Sequence, residues 1–232
     1  MVAHSFFDLL ASLCSMGMTV FIYRWRLSVA MMKIENAGPG YAVALILGAV
    51  VGGYGFGSLN LWFSGAPEIG RSIVGALAGA IVAIELYKNY SGIKGSTGIV
   101  FVPAFATTVI VGRWGCFFAG LADETYGTPT TLPWAVDLGD GVLRHPVPLY
   151  ESFSMLVFLG LALILLARRN VWFMANGFYV MVLVYAAQRF VWEFLKPYAT
   201  VLGPFNLFHL VCAGLACYAL FMMRGKHERR HS

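Results

Sequence analysis

Charge is scarce in this sequence. Of its 232 residues, 12% are charged, against about 25% in an ordinary soluble domain. That balance excludes a nucleic-acid module and, with 59% apolar residues, a disordered chain. Cysteine is sparse as well. Cys14, Cys116, Cys212 and Cys217 form no CxxC pair, which excludes a disulfide-stapled secreted scaffold and favours small buried apolar roles. The five histidines, His4, His145, His209, His227 and His231, show no ligand spacing, so neither metal nor cofactor is expected.

What is abundant is apolar sequence, with a mean hydropathy of +0.73. One bilayer crossing takes about 20 residues. Seven segments of that kind can be marked, at about Phe6–Tyr23, Tyr41–Phe63, Ser72–Tyr87, Thr97–Ala119, Val147–Ala167, Trp172–Leu195 and Pro204–Met223. A lipid-exposed backbone must satisfy its own polar groups, and the alternating ten-residue pattern of a barrel is absent. The expected fold is therefore all-α, a polytopic integral membrane protein with seven transmembrane helices. Residues 1–232 read as one transmembrane domain, with 120–146 as an external loop insertion.

The basic residues orient the chain. Arg24, Arg26, Lys33, Lys88, Lys94, Arg168, Arg169, Arg224, Lys226, Arg229 and Arg230 fall on one side, in loops one, three and five and the tail. Arg71, Arg144 and Lys196 fall on the other. The positive-inside rule then predicts an external N-terminus and a cytoplasmic C-terminus. Ala11-Ser12-Leu13-Cys14 resembles a lipoprotein cleavage box only loosely, because Leu13 is bulky, so the first span reads as a retained helix. Gly48, Gly52, Gly53, Gly55, Gly57, Gly75 and Gly79 give spans two and three small-residue faces for close helix packing.

Ionisable groups inside a membrane are costly and mark function. Arg113 and Arg189 each lie about six residues from the outer end of their spans, roughly 9 Å deep at 1.5 Å per residue. Asp8, Glu151, His209 and Glu193 fall in the same outer half, and only Glu85 lies near the cytoplasmic boundary. Each has a plainer reading: a tethering Arg189–Glu193 pair, a snorkelling Arg113, an interfacial Asp8, a packing His209. Two guanidinium groups at one depth match phosphate with paired donors. The residues thus point to a phospholipid head-group site near the external surface.

The sequence around that site carries a resemblance. Gly112-Arg113-Trp114-Gly115-Cys116-Phe117 is followed by Glu124-Thr125-Tyr126-Gly127, Leu132-Pro133-Trp134, Arg144-His145-Pro146 and Leu149-Tyr150-Glu151. Tyr185, Arg189 and Glu193 add a second element. Together these resemble the bacterial prolipoprotein diacylglyceryl transferase family. The resemblance implies a transferase moving the diacylglyceryl group of phosphatidylglycerol to the thiol of a lipoprotein cysteine. It implies catalytic roles for Arg113, Arg189, Glu124 and His145, and head-group binding by Arg113, Arg189, Gly115, Tyr150, Glu151, Glu193 and His209. The implied partners are the phospholipid, a lipoprotein or lipid acceptor and the membrane, with no nucleic acid.

Four departures from the family pattern stand out. Cys116 and Ala119 replace asparagines, Leu121–Asp123 are extra, Val74 stands where span three has a histidine, and Phe6 or Phe7 where span one has a hydroxyl. Without the span-three histidine, His145, Glu124, Glu151 and His209 are the candidate bases. His145 is favoured because an ordinary imidazole titrates near neutrality. A glyceryl- or phosphoglyceryl-transferase with another acceptor, and a non-catalytic phospholipid-binding protein, are the alternatives.

Overall fold

The computed structural model describes residues 2–66 and 68–228, with side chains from residue 5 to 224. The tail residues Arg229, Arg230 and His231, and the side chains of His4, Lys226 and His227, lie outside the described residues. Seven helical stretches are long and apolar enough to cross a membrane. Helix α1 (Val2–Ile22) runs through a π-turn at Tyr23–Leu27 into α2 (Ser28–Glu35), and these form the first span. The others are α3 (Pro39–Phe63), α4 (Ile73–Tyr90), α5 (Val102–Ala119), α6 (Val147–Ala167), α7 (Val171–Glu193) and α8 (Leu207–Glu228).

Helix starts follow local chemistry. Ser72 accepts a hydrogen bond from Gly75 N at the head of α4, and Asn170 accepts one from Phe173 N at the head of α7. Both are standard N-cap bonds that satisfy a free backbone donor. Pro39, Pro103 and Pro148 sit in the first turns of α3, α5 and α6, where no amide hydrogen is missed. The first span differs from expectation. It continues past Tyr23, because no helix breaker intervenes before Gly38 (φ 79°) and Pro39. Arg24, Arg26 and Lys33 are therefore helical rather than loop residues, and Lys88 belongs to α4. A two-residue hairpin, β1 (Val136–Asp137) with β2 (Leu143–Arg144), is the one departure from pure helix among the named elements.

The helices pack in the order α1, α5, α6, α7, α8, α4, α3, each against the next. Helices α3 and α4 meet through glycine. A methyl group on Gly52 would run into the Gly75 carbonyl, and one on Gly79 into the Gly48 carbonyl. That is backbone-to-backbone contact, the small-residue packing expected in lipid. At the end that carries residues 120–146, here called the loop end, Arg71 reaches Asp8 of α1 at 3.4 Å.

A cleft of about 360 Å³ lies between α3 and α4 on one side and α5 and α7 on the other. It follows α4 from Ile73 to Lys88, about 22 Å at 1.5 Å per residue. Its floor is tied shut. Lys88 binds both oxygens of Glu85 at 3.0 Å, Tyr218 donates to Glu85 at 2.8 Å, and Tyr41 meets Thr97 at 2.7 Å.

Replacing Gly79 by Leu is expected to lower stability by at least about 3 kcal/mol, since two backbones must separate. Gly55→Ala meets nothing within 4 Å and is expected to change stability by less than about 1 kcal/mol. Thermal unfolding of the purified protein in detergent reads both.

Candidate active site

Five charged side chains converge where α5, α6 and α7 approach the loop end. Glu151, just past the first turn of α6, is fully buried and is the centre. Arg113 of α5 places Nε 2.6 Å from its Oε2. Arg189 of α7 places Nη1 2.9 Å from Oε2 and 3.2 Å from Oε1. Lys196, three residues beyond α7, places Nζ 2.6 Å from Oε1. One turn on from Arg189, Glu193 receives Arg189 Nε at 3.0 Å and lies 3.7 Å from Lys196 Nζ. The i,i+4 spacing puts Arg189 and Glu193 on one helix face. The chain continues for one more turn through a Lys196 N to Glu193 O bond of 3.2 Å, which keeps the lysine on the buried face.

Three cations thus face two carboxylates, and all five are buried. The ion pairs leave some donors over. Arg113 Nε and Arg189 Nε, 2.6 Å and 3.0 Å from carboxylate oxygens, are held by those pairs. The Tyr185 hydroxyl, one turn before Arg189, is buried and has no hydrogen-bond partner among the described residues. Arg113 Nη1 has only the Cys116 sulfur at 3.6 Å, a weak acceptor. Unspent donors of this kind are costly in a membrane interior, and they match an anion rich in oxygen.

His209 belongs to a supporting layer. Asn206 caps α8 by accepting from His209 N at 3.1 Å, and its own N donates to His209 Nδ1 at 3.1 Å. Asn206 Nδ2 also donates to Glu193 at 3.3 Å. Phe190, Phe194 and Phe205 surround the imidazole. The histidine therefore acts on the cluster through Asn206 and Glu193.

The loop end brings His145, Tyr150 and Trp134 together. His145 Nδ1 is 3.3 Å from the Tyr150 hydroxyl, and Trp134 Nε1 donates to the same hydroxyl at 2.7 Å. Gly127 is where His145 crosses: a methyl group there would come within 2.6 Å of the His145 Cβ. A pocket of about 10 Å³, room for one water-sized group, is bounded by Cys116, Tyr126, Arg144 and His145 among others. Its lining includes both His145 and Cys116, whose sulfur is 3.6 Å from Arg113 Nη1. Gly115, directly before Cys116 in α5, is buried.

Glu124 stands apart. It is exposed, in a left-handed conformation (φ 53°) after the 3-10 turn at Gly120–Asp123, and the structure does not bring it to the arginines. Asp8 also lies outside the cluster, on Arg71. Val74, at the family's histidine position, is fully buried in the apolar core. Conversely, sequence reasoning missed Lys196, Asn206 and Trp134 as members of this assembly. Lys196 had a signal, because it continues the Arg189–Glu193 face at i+3.

The seven apolar helices and the buried arginine–carboxylate cluster define a multi-pass membrane protein with a charged centre inside the bundle. The profile for "Prolipoprotein diacylglyceryl transferase" matches residues 10–224, and the chain belongs to that family. It is similar to the phosphatidylglycerol--prolipoprotein diacylglyceryl transferases of Finegoldia magna (33% identity over 61% of this chain), Thermosynechococcus vestitus (31% over 66%) and Fervidobacterium nodosum (31% over 89%). The matched stretches span 56%, 61% and 77% of those relatives.

Two outcomes test this geometry. Glu151→Gln leaves three buried cations with one carboxylate and is expected to cost about 3–5 kcal/mol of stability in denaturant or thermal unfolding. Lys196→Met is expected to cost less, since Glu151 keeps both arginines. In the loop, Arg144 donates to Asp140 at 2.6 Å and holds that carboxyl below its usual value, against a small opposing desolvation. A folded value below the unfolded one means the contribution is present above the unfolded value and lost as pH falls through the folded one. Amide protection of residues 136–144, taken as the ratio of intrinsic to observed exchange rate at each pH, is expected to fall as pH drops below about 3.9, the ordinary aspartate value, and Asp140→Asn to remove that pH dependence.

Proposed function

We propose that this protein is a phospholipid:thiol diacylglyceryl transferase of a bacterial cytoplasmic membrane. Its donor is phosphatidylglycerol and its acceptor a lipoprotein cysteine, with the loop end and N-terminus external and residues 1–232 acting as one transmembrane domain. The observation that carries this reading is the Glu151-centred cluster. It holds one net positive charge, with Arg113 Nη1 engaged only weakly by the Cys116 sulfur, which suits the single negative charge of a phosphodiester.

The reaction replaces a carbon–oxygen bond with a carbon–sulfur bond. The thiol sulfur attacks the glyceryl carbon that bears the phosphate. The bond to the phosphate oxygen breaks, and glycerol phosphate leaves with the electron pair. Arg113 and Arg189 stabilise the charge where it develops, held in place by Glu151 so that little reorganisation is needed. Tyr185, Gly115 and Glu193 frame the phosphate, and an acyl chain lies along the apolar cleft. Because Val74 offers no proton acceptor, His145 is the final acceptor of the proton that the thiol gives up. Glu124, exposed at the rim, serves the acceptor side.

Purified protein is mixed with labelled phosphatidylglycerol and a cysteine peptide bearing a lipoprotein box. A peptide mass increased by one diacylglyceryl group is expected. Arg113→Ala and Arg189→Ala are each expected to lower turnover at least about 100-fold while the thermal transition remains. His145→Ala is expected to lower it by a similar factor. Tight lipid binding with no adduct would overturn the thiol as acceptor.

A further inference from the structure

We propose that Tyr150 is the catalytic residue that receives the thiol proton, passing its own proton to His145, and that Trp134 is the positioning residue that aims it. This rests on the transferase reading above.

The hairpin creates the juxtaposition. Val136 pairs with Arg144, so Trp134, two residues before one strand, and His145, one residue after the other, emerge at the same end. Trp134 is set by the turn Leu132–Ala135, closed by an Ala135 N to Leu132 O bond of 2.9 Å with Pro133 at its second position. His145 is pinned by its N–H to Thr128 O at 3.1 Å. Tyr150 rises from the first turn of α6 and packs against Trp192 with ring centroids 5.1 Å apart.

An indole N–H only donates, so Trp134 occupies one lone pair of the Tyr150 oxygen at 2.7 Å. The oxygen keeps its hydrogen and a second lone pair for His145 Nδ1 at 3.3 Å, and the relay uses the hydrogen, with Tyr150 as donor. This arrangement makes use of all three groups. It holds neutral His145 with its hydrogen on Nε2 and its lone pair on Nδ1 already engaged. The imidazole therefore cannot take a proton from substrate at that nitrogen directly. The Tyr150 oxygen can, as it gives up its own proton.

Tyr150 directly precedes Glu151, the carboxylate that both arginines hold, so one turn of α6 carries both groups. The step balances as follows. The thiol proton moves to the Tyr150 oxygen and the Tyr150 proton to His145 Nδ1. The sulfur pair forms the bond to the glyceryl carbon, and the carbon–oxygen pair leaves on glycerol phosphate at Arg113 and Arg189. The imidazolium then returns its proton to solvent. Trp134 never meets substrate; it orients the phenol and stabilises negative charge on its oxygen.

The test combines a spectrum with turnover. The chain has five histidines, so ¹⁵N-histidine labelling gives a resolvable set, with His145 assigned by its loss in His145→Gln. Above pH 8, where imidazole is neutral, wild-type His145 is expected as the Nε2–H tautomer. In Trp134→Phe and Tyr150→Phe it is expected to become a tautomer mixture. Turnover in the phosphatidylglycerol–peptide assay is expected to fall about 10-fold in Trp134→Phe and at least about 100-fold in Tyr150→Phe. An Nδ1–H tautomer in the wild type, or Tyr150→Phe at full turnover, overturns the relay alone. Wild-type protein that yields no adduct overturns the transferase reading, and the relay falls with it whatever the tautomer.

Discussion

The structure depends on one carboxylate. Glu151 is the common partner of Arg113, Arg189 and Lys196, which come from α5, α7 and the segment beyond α7. Any one of these cations, buried alone in a membrane-spanning bundle, would be prohibitively expensive. Gathered on a single carboxylate, they become mutually necessary. The ion cluster therefore works as a clamp on α5, α6 and α7 at the loop end, where the apolar contacts that hold helices in water have no counterpart against lipid. The same carboxylate fixes the arginines in position before any ligand arrives.

That clamp explains how the remaining structure is divided. Helices α3 and α4 share a glycine-lined seam that needs no charge, and they flank the cleft. The floor of the cleft has its own ties, Glu85 with Lys88 and Tyr218, and Tyr41 with Thr97. The charges that line this apolar groove are thus at its floor, where Glu85 and Lys88 satisfy each other. On the proposed reading the groove takes the apolar part of an amphiphile whose polar end lies at the arginines, beyond the groove's own lining.

The spans were legible because lipid imposes one rule on every residue of a crossing helix. The depth of Arg113 and Arg189 was legible for the same reason, since 1.5 Å per residue needs only a helix end as origin. Their shared partner was not. Glu151 reads as one more outer-half acid until α6 is rotated by packing against both α5 and α7. Lys196 was misplaced because loop lysines are normally solvated; a single backbone bond to Glu193 keeps it on the buried face. Glu124 shows the converse. Its motif spacing is real, and Gly127 is explained by the crossing of His145, yet the acid itself points to the exterior. The extension of the first span to Glu35 was hidden by Arg24 and Arg26, whose charge suggests a loop. The backbone instead absorbs a π-turn there, with Arg26 stacked over Trp25.

The charge balance of the cluster bears on turnover as well as binding. On the proposed reading, a phosphodiester brings one negative charge to a site with one net positive charge, and the complex is neutral within the low-dielectric bundle. Bond cleavage converts the diester into a monoester, whose charge near neutral pH is about −1.5 to −2. The product complex is then over-neutralised, and the excess negative charge faces Glu151 and Glu193 at close range. Coulomb repulsion in that environment is large compared with thermal energy. The two carboxylates thus have a double effect. They hold the cations in place for the attack, and they disfavour retention of the leaving group once it has formed. A site built from the three cations alone would bind the donor more tightly and release glycerol phosphate more slowly.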